Sequence, residues 1–248
     1  MAEILLKDGE RINQLFSTDV KIIQNREVFS YSVDSVLLSR FPNLPKRGLI
    51  VDLCAGNGAV GLFASTRTQA QIIAVEIQER LADMAQRSIE LNNLTSQMQV
   101  IQDDLKYLTR YISGSKVDMI LCNPPYFKVD EHSNLNANRH YLLARHEIAT
   151  NLEEICQISQ RVLKSNGRLT MVHRPERFLD IIETMTAHNL APKRIQFVYP
   201  KANRKANMLL IEAIKDGSRD GLKILPPLFI HNEDGSYTPE IHEIYYGN

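Results

Sequence analysis

The sequence has little of three features that would restrict its class: cysteine, long apolar runs and net charge. Cys54, Cys122 and Cys156 are too few and too irregularly spaced for a disulfide framework or a zinc site, so we expect buried free thiols. No apolar run approaches the length of a membrane span. Residues 1–16 lack the uninterrupted apolar stretch of a signal peptide. We therefore expect a soluble, cytoplasmic protein that binds neither a metal nor a membrane.

Net charge is absent because 29 basic and 29 acidic residues balance over the 248 residues. The acids are concentrated at the end, where residues 216–248 hold six acids against two basic residues. The first 215 residues therefore hold 27 basic and 23 acidic residues, a surplus of four positive charges. This modest surplus permits a surface that faces nucleic-acid phosphates but does not demonstrate one.

The chain contains apolar strands that alternate with helical patterns. The predicted strands are 49–53, 71–77, 98–102, 117–122, 168–173, 194–199 and 208–214, and the predicted helices are 33–41, 59–66, 78–92, 148–163 and 175–188. This alternation predicts an α/β fold with a doubly wound, mostly parallel seven-stranded sheet. The last two strands have no helix between them, which predicts an antiparallel hairpin at one edge.

Other local patterns complete the prediction. Residues 20–24 and 28–31 are typical of a short hairpin, and Gly167 is predicted to stop the helix that precedes it. Beyond Asp216 we expect irregular structure with short strands. No composition break divides the 248 residues, so we predict a single domain. Its three parts are a lead-in at 1–47, a core at 48–215 and a C-terminal extension at 216–248.

A glycine-containing turn follows the first strand of the alternation. Gly56 and Gly58 let the backbone turn sharply and approach a ligand closely. Asp52, at the strand end, can reach the ammonium group of a ligand or an amide of the loop. Taken alone, a Gly-x-Gly pattern is equally consistent with a tight turn that binds nothing.

Acidic residues end the next two strands. A carboxylate at Glu76 can accept two hydrogen bonds from a ribose diol, although a helix N-terminal acid is the alternative. Asp103 and Asp104 close the third strand, where a carboxylate suits the exocyclic amine of adenine. The alternative for either residue is a turn or a helix N-cap. We favour Asp104 as the residue that faces the ligand. The acid at position 52 would repel a pyrophosphate but favours a cationic, amine-bearing cofactor.

The motif Asn123-Pro124-Pro125-Tyr126 follows the fourth strand. The prolines remove two backbone N–H donors and leave two acceptors, the Asn123 side-chain oxygen and the Pro124 carbonyl. Two acceptors suit an exocyclic NH₂ group, and hydrogen bonds to both hydrogens help to localise its lone pair for attack. Tyr126 offers a ring on which a flat group can stack. The alternative is a rigid turn, but at this position the motif predicts methylation of a planar nitrogen.

These motifs together resemble class I S-adenosylmethionine-dependent methyltransferases of the N-P-P-[YF] group. The segment 29–38, Phe127, residues 144–147 and the tail at 226–238 resemble the bacterial tRNA(Val) adenine-N6 methyltransferase family. The resemblance thus covers nearly the whole chain. It implies S-adenosylmethionine as the methyl donor and tRNA as the partner. The implied target is N6 of adenosine 37, beside the anticodon of a valine tRNA.

The resemblance also implies which residues form the site. The residues assigned to the cofactor are Ser32, Asp34, Asp52, Cys54, Gly56, Gly58, Glu76, Ile77, Asp103, Asp104, Leu105 and Asn123. The residues assigned to the catalytic motif or to tRNA binding are Asn123, Pro124, Pro125, Tyr126, Phe127, Arg139, Arg145, Lys201, Arg204 and Lys205. Ser32 and Asp34 would enclose the methionine end of the cofactor, while Asp34 is alternatively a helix N-cap.

Two further segments are candidates for RNA contact. The loop 128–145 directly follows the catalytic motif, so it can gate or read the target base. Lys193, Arg194 and the basic stretch 201–205 could form a rim that contacts phosphates, with Phe197 and Tyr199 interleaved. A solvated basic turn between strands is the alternative.

Other functions use parts of the same pattern. A protein glutamine-N5 methyltransferase would use the same acceptors on a carboxamide, but roughly forty residues before the first strand leave little room for a helical N-terminal domain. An rRNA guanine-N2 methyltransferase stays open. A non-catalytic RNA-binding module is disfavoured because Asp52, Glu76 and Asn123 are intact. We expect a monomer.

Overall fold

The computed structural model describes residues 5–15, 17–25, 31–125 and 152–247. In these ranges the strands are β1 (Glu10–Leu15), β2 (Val20–Asn25), β3 (Leu49–Leu53), β4 (Gln71–Glu76), β5 (Met98–Gln102), β6 (Val117–Cys122), β7 (Leu163–His173), β8 (Leu190–Tyr199), β9 (Met208–Lys215), β10 (Lys223–Ile224) and β11 (Leu228–Phe229). The helices are α1 (Val33–Arg40), α2 (Ala59–Ser65), α3 (Glu79–Leu91), α4 (Leu152–Val162), α5 (Phe178–Ala187) and α6 (Pro239–Tyr246). Two short 3-10 segments cover Leu105–Arg110 and Pro175–Arg177. None of the helices in these ranges is long and apolar enough to cross a membrane.

The larger sheet carries the α/β pattern. Its strand order is β10-β8-β9-β7-β6-β3-β4-β5, and β11 also pairs with β8. Strands β3 to β7 are mutually parallel, while β9 runs antiparallel between β7 and β8. The seven long strands confirm the predicted doubly wound, mostly parallel sheet. The predicted hairpin is β8–β9, although β9 is inserted inside the sheet instead of forming its edge.

Helices cover both faces of this sheet. Along β3, Ile50 packs into the core beneath α1 and α2, whereas Val51 packs into the opposite core beneath α4 and α5. Both cores are apolar, so successive residues of a central strand are buried on alternate faces. This is why the strand appears in the sequence as a nearly continuous apolar run, interrupted only by Asp52.

The N-terminal hairpin differs from its prediction. The strand predicted at 20–24 is confirmed as β2, but it pairs with β1, with Glu10 opposite Asn25. The predicted partner at 28–31 lies outside the described residues except for Tyr31. Strand β1, with the sequence ERINQL, is too polar to give a clear apolar alternation. In β2, Ile22 and Ile23 are fully buried, and β2 packs against α3.

Gly167 does not stop a helix, contrary to the prediction. Helix α4 ends at Val162, and β7 begins at the next residue and contains Gly167. The pairing of β7 with β6 shifts register at this point. A Cβ on Gly167 would lie 2.9 Å from the Lys164 carbonyl oxygen and 3.1 Å from that of Val117. The glycine therefore permits a bulge in a strand.

The C-terminal extension contains a helix, α6, where the sequence predicted only irregular structure and short strands, so that prediction is wrong for this element. Pro239 occupies the first turn of this helix, and the Thr238 hydroxyl accepts a hydrogen bond from the Ile241 N–H at 3.4 Å. Ile241 is fully buried, and the Tyr245 carbonyl accepts a hydrogen bond from the Ser17 N–H at 3.0 Å. These contacts attach the extension to the N-terminal segment.

Candidate active site

The chain order of the sheet reverses between β3 and β6. From β3 the chain proceeds outward through β4 to β5, whereas β6 and β7 lie on the other side of β3. Such a switch point opens a crevice at the carboxyl ends of the strands, where open α/β sheets bind ligands. The glycine-containing turn follows β3 and Asn123 follows β6, so the two predicted motifs flank this crevice.

The glycine-containing turn has the backbone conformation that its sequence indicates. Gly56 and Gly58 have φ angles of 57° and 82°, in the region that glycine enters without steric cost, whereas Cys54, with a φ of 56°, is a non-glycine residue in the same region. A Cβ on Gly58 would lie 3.1 Å from the Cβ of Ala85 in α3, so this glycine also allows close packing. Cys54 is half-buried, whereas Cys122 and Cys156 are the buried free thiols that we expected.

Asp52 is fully buried beneath this turn. Its Oδ2 accepts a hydrogen bond from the Gly61 N–H at 2.9 Å, which holds the first turn of α2. Its Oδ1 has no hydrogen-bond partner among the described residues. Burial raises the pKa of Asp52 to about 7, against the lowering effect of the Gly61 hydrogen bond. The carboxyl therefore gives up its proton far less readily than an exposed aspartate.

Glu76 joins the glycine-containing turn to the start of α3. Its Oε2 accepts from the Gly56 N–H at 2.7 Å, and its Oε1 accepts from the Gln78 N–H at 2.9 Å. Burial raises the pKa of Glu76, while backbone hydrogen bonds from Gln78, Gly56 and Ile77 lower it. An ionised carboxylate has about four lone-pair sites, so these bonds still leave acceptor capacity for a ligand. The next residue, Ile77, is 45% exposed and provides an apolar surface beside the carboxylate.

Asp103 and Asp104 make different contacts at the end of β5. Asp103 accepts hydrogen bonds from the Tyr111 hydroxyl and from the Asp104 N–H, both at 2.8 Å. Asp104 caps the 3-10 segment by accepting from the Lys106 N–H at 3.0 Å, and it forms a 2.6 Å ion pair with the Lys106 ammonium. The N-cap alternative thus holds for Asp104. Leu105, directly after it, is buried.

The two N-terminal residues assigned to the cofactor lie at the start of α1. Ser32 is the N-cap residue by backbone conformation, although its hydroxyl makes no capping hydrogen bond. Asp34 lies inside the first turn and is not the N-cap, which corrects that alternative. A carboxylate in the first turn is still stabilised by the helix dipole.

Asn123 stands directly after β6 and contacts α1. Its Nδ2 donates a hydrogen bond to the Ser35 hydroxyl oxygen at 3.3 Å. Pro124 is buried and Pro125 half-buried. Sequence reasoning missed Ser35, whose only signal is its place within the resembling segment 29–38. The assigned residues Tyr126, Phe127, Arg139 and Arg145, and the loop 128–145, lie outside the described residues.

The loop between β8 and β9 lies at the same edge of the sheet as Asn123, because β8 is parallel to β7 and β6. We call Lys201, Arg204 and Lys205 in this loop the basic loop. Arg204 and Lys205 are exposed, and the Lys201 ammonium donates to the Glu233 carbonyl at 3.0 Å. Strand β8 is three strand positions from β6, about 14 Å at the usual strand spacing.

Lys193 and Arg194 do not join the basic loop. The Lys193 ammonium donates to the Ser218 carbonyl at 2.5 Å. Ser218 follows the carboxyl end of β9, and because β9 is antiparallel to β8, this contact lies at the opposite edge of the sheet from the basic loop. Arg194 lies over the Phe41 ring and pairs with the buried Glu212 at 3.6 Å. Both residues are engaged by other parts of the fold, so the phosphate-contacting rim stays a prediction for the basic loop alone.

Asn57, between the two glycines of the turn, contacts the N-terminal hairpin. Its Nδ2 donates to the Ile23 carbonyl at 3.0 Å, and the Ile23 N–H donates to the Ser88 hydroxyl at 2.9 Å. Asn57 is fully buried, so this bond is shielded from water. The hairpin therefore holds the turn from outside, a role that the sequence pattern alone does not indicate.

Comparisons with known proteins agree with this geometry. The family described as "Methyltransferase small domain" matches residues 19–189. A curated tRNA1(Val) (adenine(37)-N6)-methyltransferase from Shewanella sp. (strain MR-7) is 26% identical over 214 residues, covering 86% of this chain and 89% of that protein. A protein of the same name from Bacteroides fragilis (strain YCH46) is 27% identical with the same coverage.

A solved structure shares the fold. That of a predicted O-methyltransferase from Agrobacterium tumefaciens aligns with a TM-score of 0.68 at 23% identity. The alignment covers 87% of this chain and 96% of the other. At this identity, the likeness establishes the common architecture of the sheet and its flanking helices.

Proposed function

The chain belongs to the methyltransferase small domain family, and we propose that it methylates N6 of adenosine 37 in a valine tRNA. The observation that carries the proposal is the position of Asn123 and Pro124, across the switch point from the glycine-containing turn. The names of the curated relatives support adenine in tRNA over guanine or a protein glutamine.

We propose S-adenosylmethionine as the cofactor, and it supplies a methyl group activated on a sulfonium. The described residues fit its chemistry. Asp52 offers a buried oxygen that has no partner within the part of the chain that the structure describes, and this oxygen suits a cationic amine. Glu76 retains acceptor capacity for a ribose diol, and Ile77 presents apolar surface for an adenine ring. We assign the remaining contacts to Ser32, Asp34, Cys54, Gly56, Gly58, Asp103, Asp104 and Leu105.

The chemical work of the protein is to position an amine. The Asn123 side-chain oxygen and the Pro124 carbonyl accept the two hydrogens of the target N6, while the prolines remove competing backbone donors. Because both hydrogens are held, the lone pair is localised and oriented for attack, and orientation itself lowers the barrier. The proton released after transfer passes to water. Tyr126 and Phe127 are proposed to stack on the flipped base.

The wider tRNA contact is proposed to involve the basic loop together with Arg139 and Arg145. Strand β8, which leads into the basic loop, is about 14 Å from β6 at the usual strand spacing, and both strands end at the same edge of the sheet. This spacing suits contacts with phosphates that flank a base held at Asn123. Lysine and arginine at such positions supply affinity through counterion release.

The test compares the wild type with Asn123→Ala and with Asn43→Ala, an exposed control before β3. Transfer of a tritiated methyl group to tRNA is measured together with cofactor affinity by calorimetry. Asn123→Ala should lower kcat by about 100-fold or more while cofactor affinity changes by less than about threefold. Near-normal turnover in Asn123→Ala would refute the acceptor role.

A further inference from the structure

We propose that the surface beside the end of β5 is a second tRNA contact, on the other side of Asn123 from the basic loop. It consists of Lys106, Tyr107, Arg110 and Tyr111, which we call the β5 patch. All four residues are exposed, and they lie in the 3-10 segment that follows β5 or directly after it. The inference rests on the proposed tRNA substrate and adds residues that none of the sequence motifs assigns.

The 3-10 segment after β5 has a buried side and an exposed side. Leu105, Leu108 and Ile112 are at most 4% exposed and pack in the core beneath α4 and α5. The residues between them bring two cations and two aromatic rings to the surface. Because the apolar side is packed, the exposed side chains are carried on an ordered backbone, as a binding surface requires.

The β5 patch lies beside the edge of the sheet that carries the motifs. The Tyr111 hydroxyl donates to the Asp103 carboxylate at 2.8 Å, and Asp103 follows the carboxyl end of β5. This hydrogen bond and, to a lesser extent, the positive charge of Arg110 lower the pKa of Asp103. Strand β5 is three strand positions from β6, about 14 Å, on the side away from β8. The basic loop and the β5 patch therefore lie on opposite sides of Asn123.

Arg110 supplies a positive charge for a phosphate. Its guanidinium carbon lies 3.9 Å from the centroid of the Tyr107 ring, and the guanidinium forms no hydrogen bond or ion pair among the residues that the structure describes. Lys106 differs, because its ammonium pairs with Asp104 at 2.6 Å. A guanidinium held over a ring keeps its N–H groups available for a phosphate and loses less conformational freedom on binding.

The two tyrosines of the β5 patch supply rings for bases. Tyr107 is 36% exposed and Tyr111 is 53% exposed, and the bond to Asp103 fixes the Tyr111 ring in place. Unpaired bases of RNA loops stack on exposed aromatic side chains of this kind. Cations beside rings match the alternation of phosphates and bases along a single strand. An acidic protein surface would be bound by the cations alone and gives no role to the rings.

The distance from Asn123 fits nucleotides that flank the target. Stacked nucleotides advance by about 3.4 Å, so a separation of 14 Å corresponds to about four nucleotides. The basic loop follows a strand that is the same number of strand positions from β6 on the other side. An RNA strand that crosses the edge would therefore be held on both sides of the base that enters the site.

The first experiment measures tRNA affinity without cofactor over a series of salt concentrations for the wild type, Arg110→Ala and Lys116→Ala. Lys116 is the matched control, because it is an exposed cation just before β6 and so at the opposite edge of the sheet. Arg110→Ala should weaken binding by about three- to tenfold at low salt and reduce the log–log salt slope by about 0.7, the value of one phosphate contact. Lys116→Ala should leave the affinity within about twofold and the slope unchanged. Wild-type binding by Arg110→Ala, or equal losses in both variants, would overturn the proposal.

The second experiment tests stacking at Tyr111. Tyr111→Phe removes the hydrogen bond to Asp103 and keeps the ring, whereas Tyr111→Ala removes both. Tyr111→Ala should weaken tRNA binding by about fivefold or more without a change in the salt slope, and Tyr111→Phe should bind within about twofold of the wild type. An equal loss in the two variants would contradict stacking on this ring. Because cofactor is absent from the assay, a change at Asp103 cannot act through cofactor binding.

Methyl transfer by the wild type is assayed first, so that the two proposals fail separately. No transfer from the wild type to tRNA would refute the proposed function itself. Transfer by the wild type, together with undiminished tRNA binding in Arg110→Ala and Tyr111→Ala, would refute only the β5 patch.

Discussion

The buried carboxyl of Asp52 should make the stability of the protein fall as the pH rises toward neutrality. Its pKa is about 7 in the folded protein, because it is fully buried, against 3.8 for an ordinary aspartate. A group whose folded pKa is raised contributes stability that is complete below the unfolded pKa. That contribution is lost between about pH 4 and pH 7, as the folded state must give up a proton that it binds more tightly.

Asp52→Asn isolates this effect, because the amide oxygen can still accept from the Gly61 N–H while the titration disappears. From pH 5 to the folded pKa of about 7, the stability of the wild type falls by about 1.4 kcal/mol for each pH unit. Above that pKa the fall ends. The free energy of unfolding of Asp52→Asn, relative to wild type, should therefore increase by about 3 kcal/mol from pH 5 to pH 8.

The assay is urea denaturation at both pH values without cofactor. Asp103→Asn serves as a control, because the hydrogen bond from Tyr111 lowers the pKa of that half-buried carboxyl, so it does not titrate in this window. A stability difference between Asp52→Asn and wild type that stays the same at both pH values would refute the reasoning. It would mean that Asp52 is ionised throughout and hydrated better than its burial indicates.

The other predictions concern affinity. Glu76→Ala should weaken cofactor binding, measured by calorimetry, by about 1.5–3 kcal/mol, which is the value of a hydrogen bond to a charged group. The control Glu79→Ala, at the exposed start of α3, should leave cofactor binding unchanged. Unchanged binding in Glu76→Ala would show that Glu76 is not part of the cofactor site. Replacing the three side chains of the basic loop with alanine should weaken tRNA binding and reduce its log–log salt slope by up to about 2. Alanine substitutions at Lys46 and Arg47, which are exposed just before β3, should leave that salt slope unchanged. If they reduced the slope as much as the substitutions in the basic loop, the loop would contribute only its charge to tRNA binding.

Three of the parallel strands could be predicted to the residue. Strands β3, β5 and β6 have the bounds that the apolar pattern indicates, 49–53, 98–102 and 117–122. Strands β3 and β6 lie inside the sheet and are mostly buried, so their sequences are mostly apolar, whereas β5 lies at the edge of the sheet and is only partly buried. The acids at the ends of β3, β4 and β5, and Asn123 after β6, lie at the carboxyl ends of their strands. The alternation of strands and helices predicts that these strands are parallel, so it also predicts that the motifs meet at one edge of the sheet.

Elements that depend on distant partners could not be predicted in this way. Strand β1 is polar, and its place is set by pairing with β2 and by the Glu10–Arg87 ion pair, 77 positions apart. The bulge at Gly167 depends on a close approach to β6. Ser35 gains its place beside Asn123 only when α1 packs on the sheet. Such contacts have no periodic signature in the sequence.

The most direct test of the central claim is mass spectrometry of nucleosides from tRNA incubated with the protein and isotopically labelled S-adenosylmethionine. Labelled N6-methyladenosine in wild-type reactions, absent in Asn123→Ala reactions, is the predicted result. Label in N2-methylguanosine or in glutamine of an added release factor, with none in N6-methyladenosine, would contradict it.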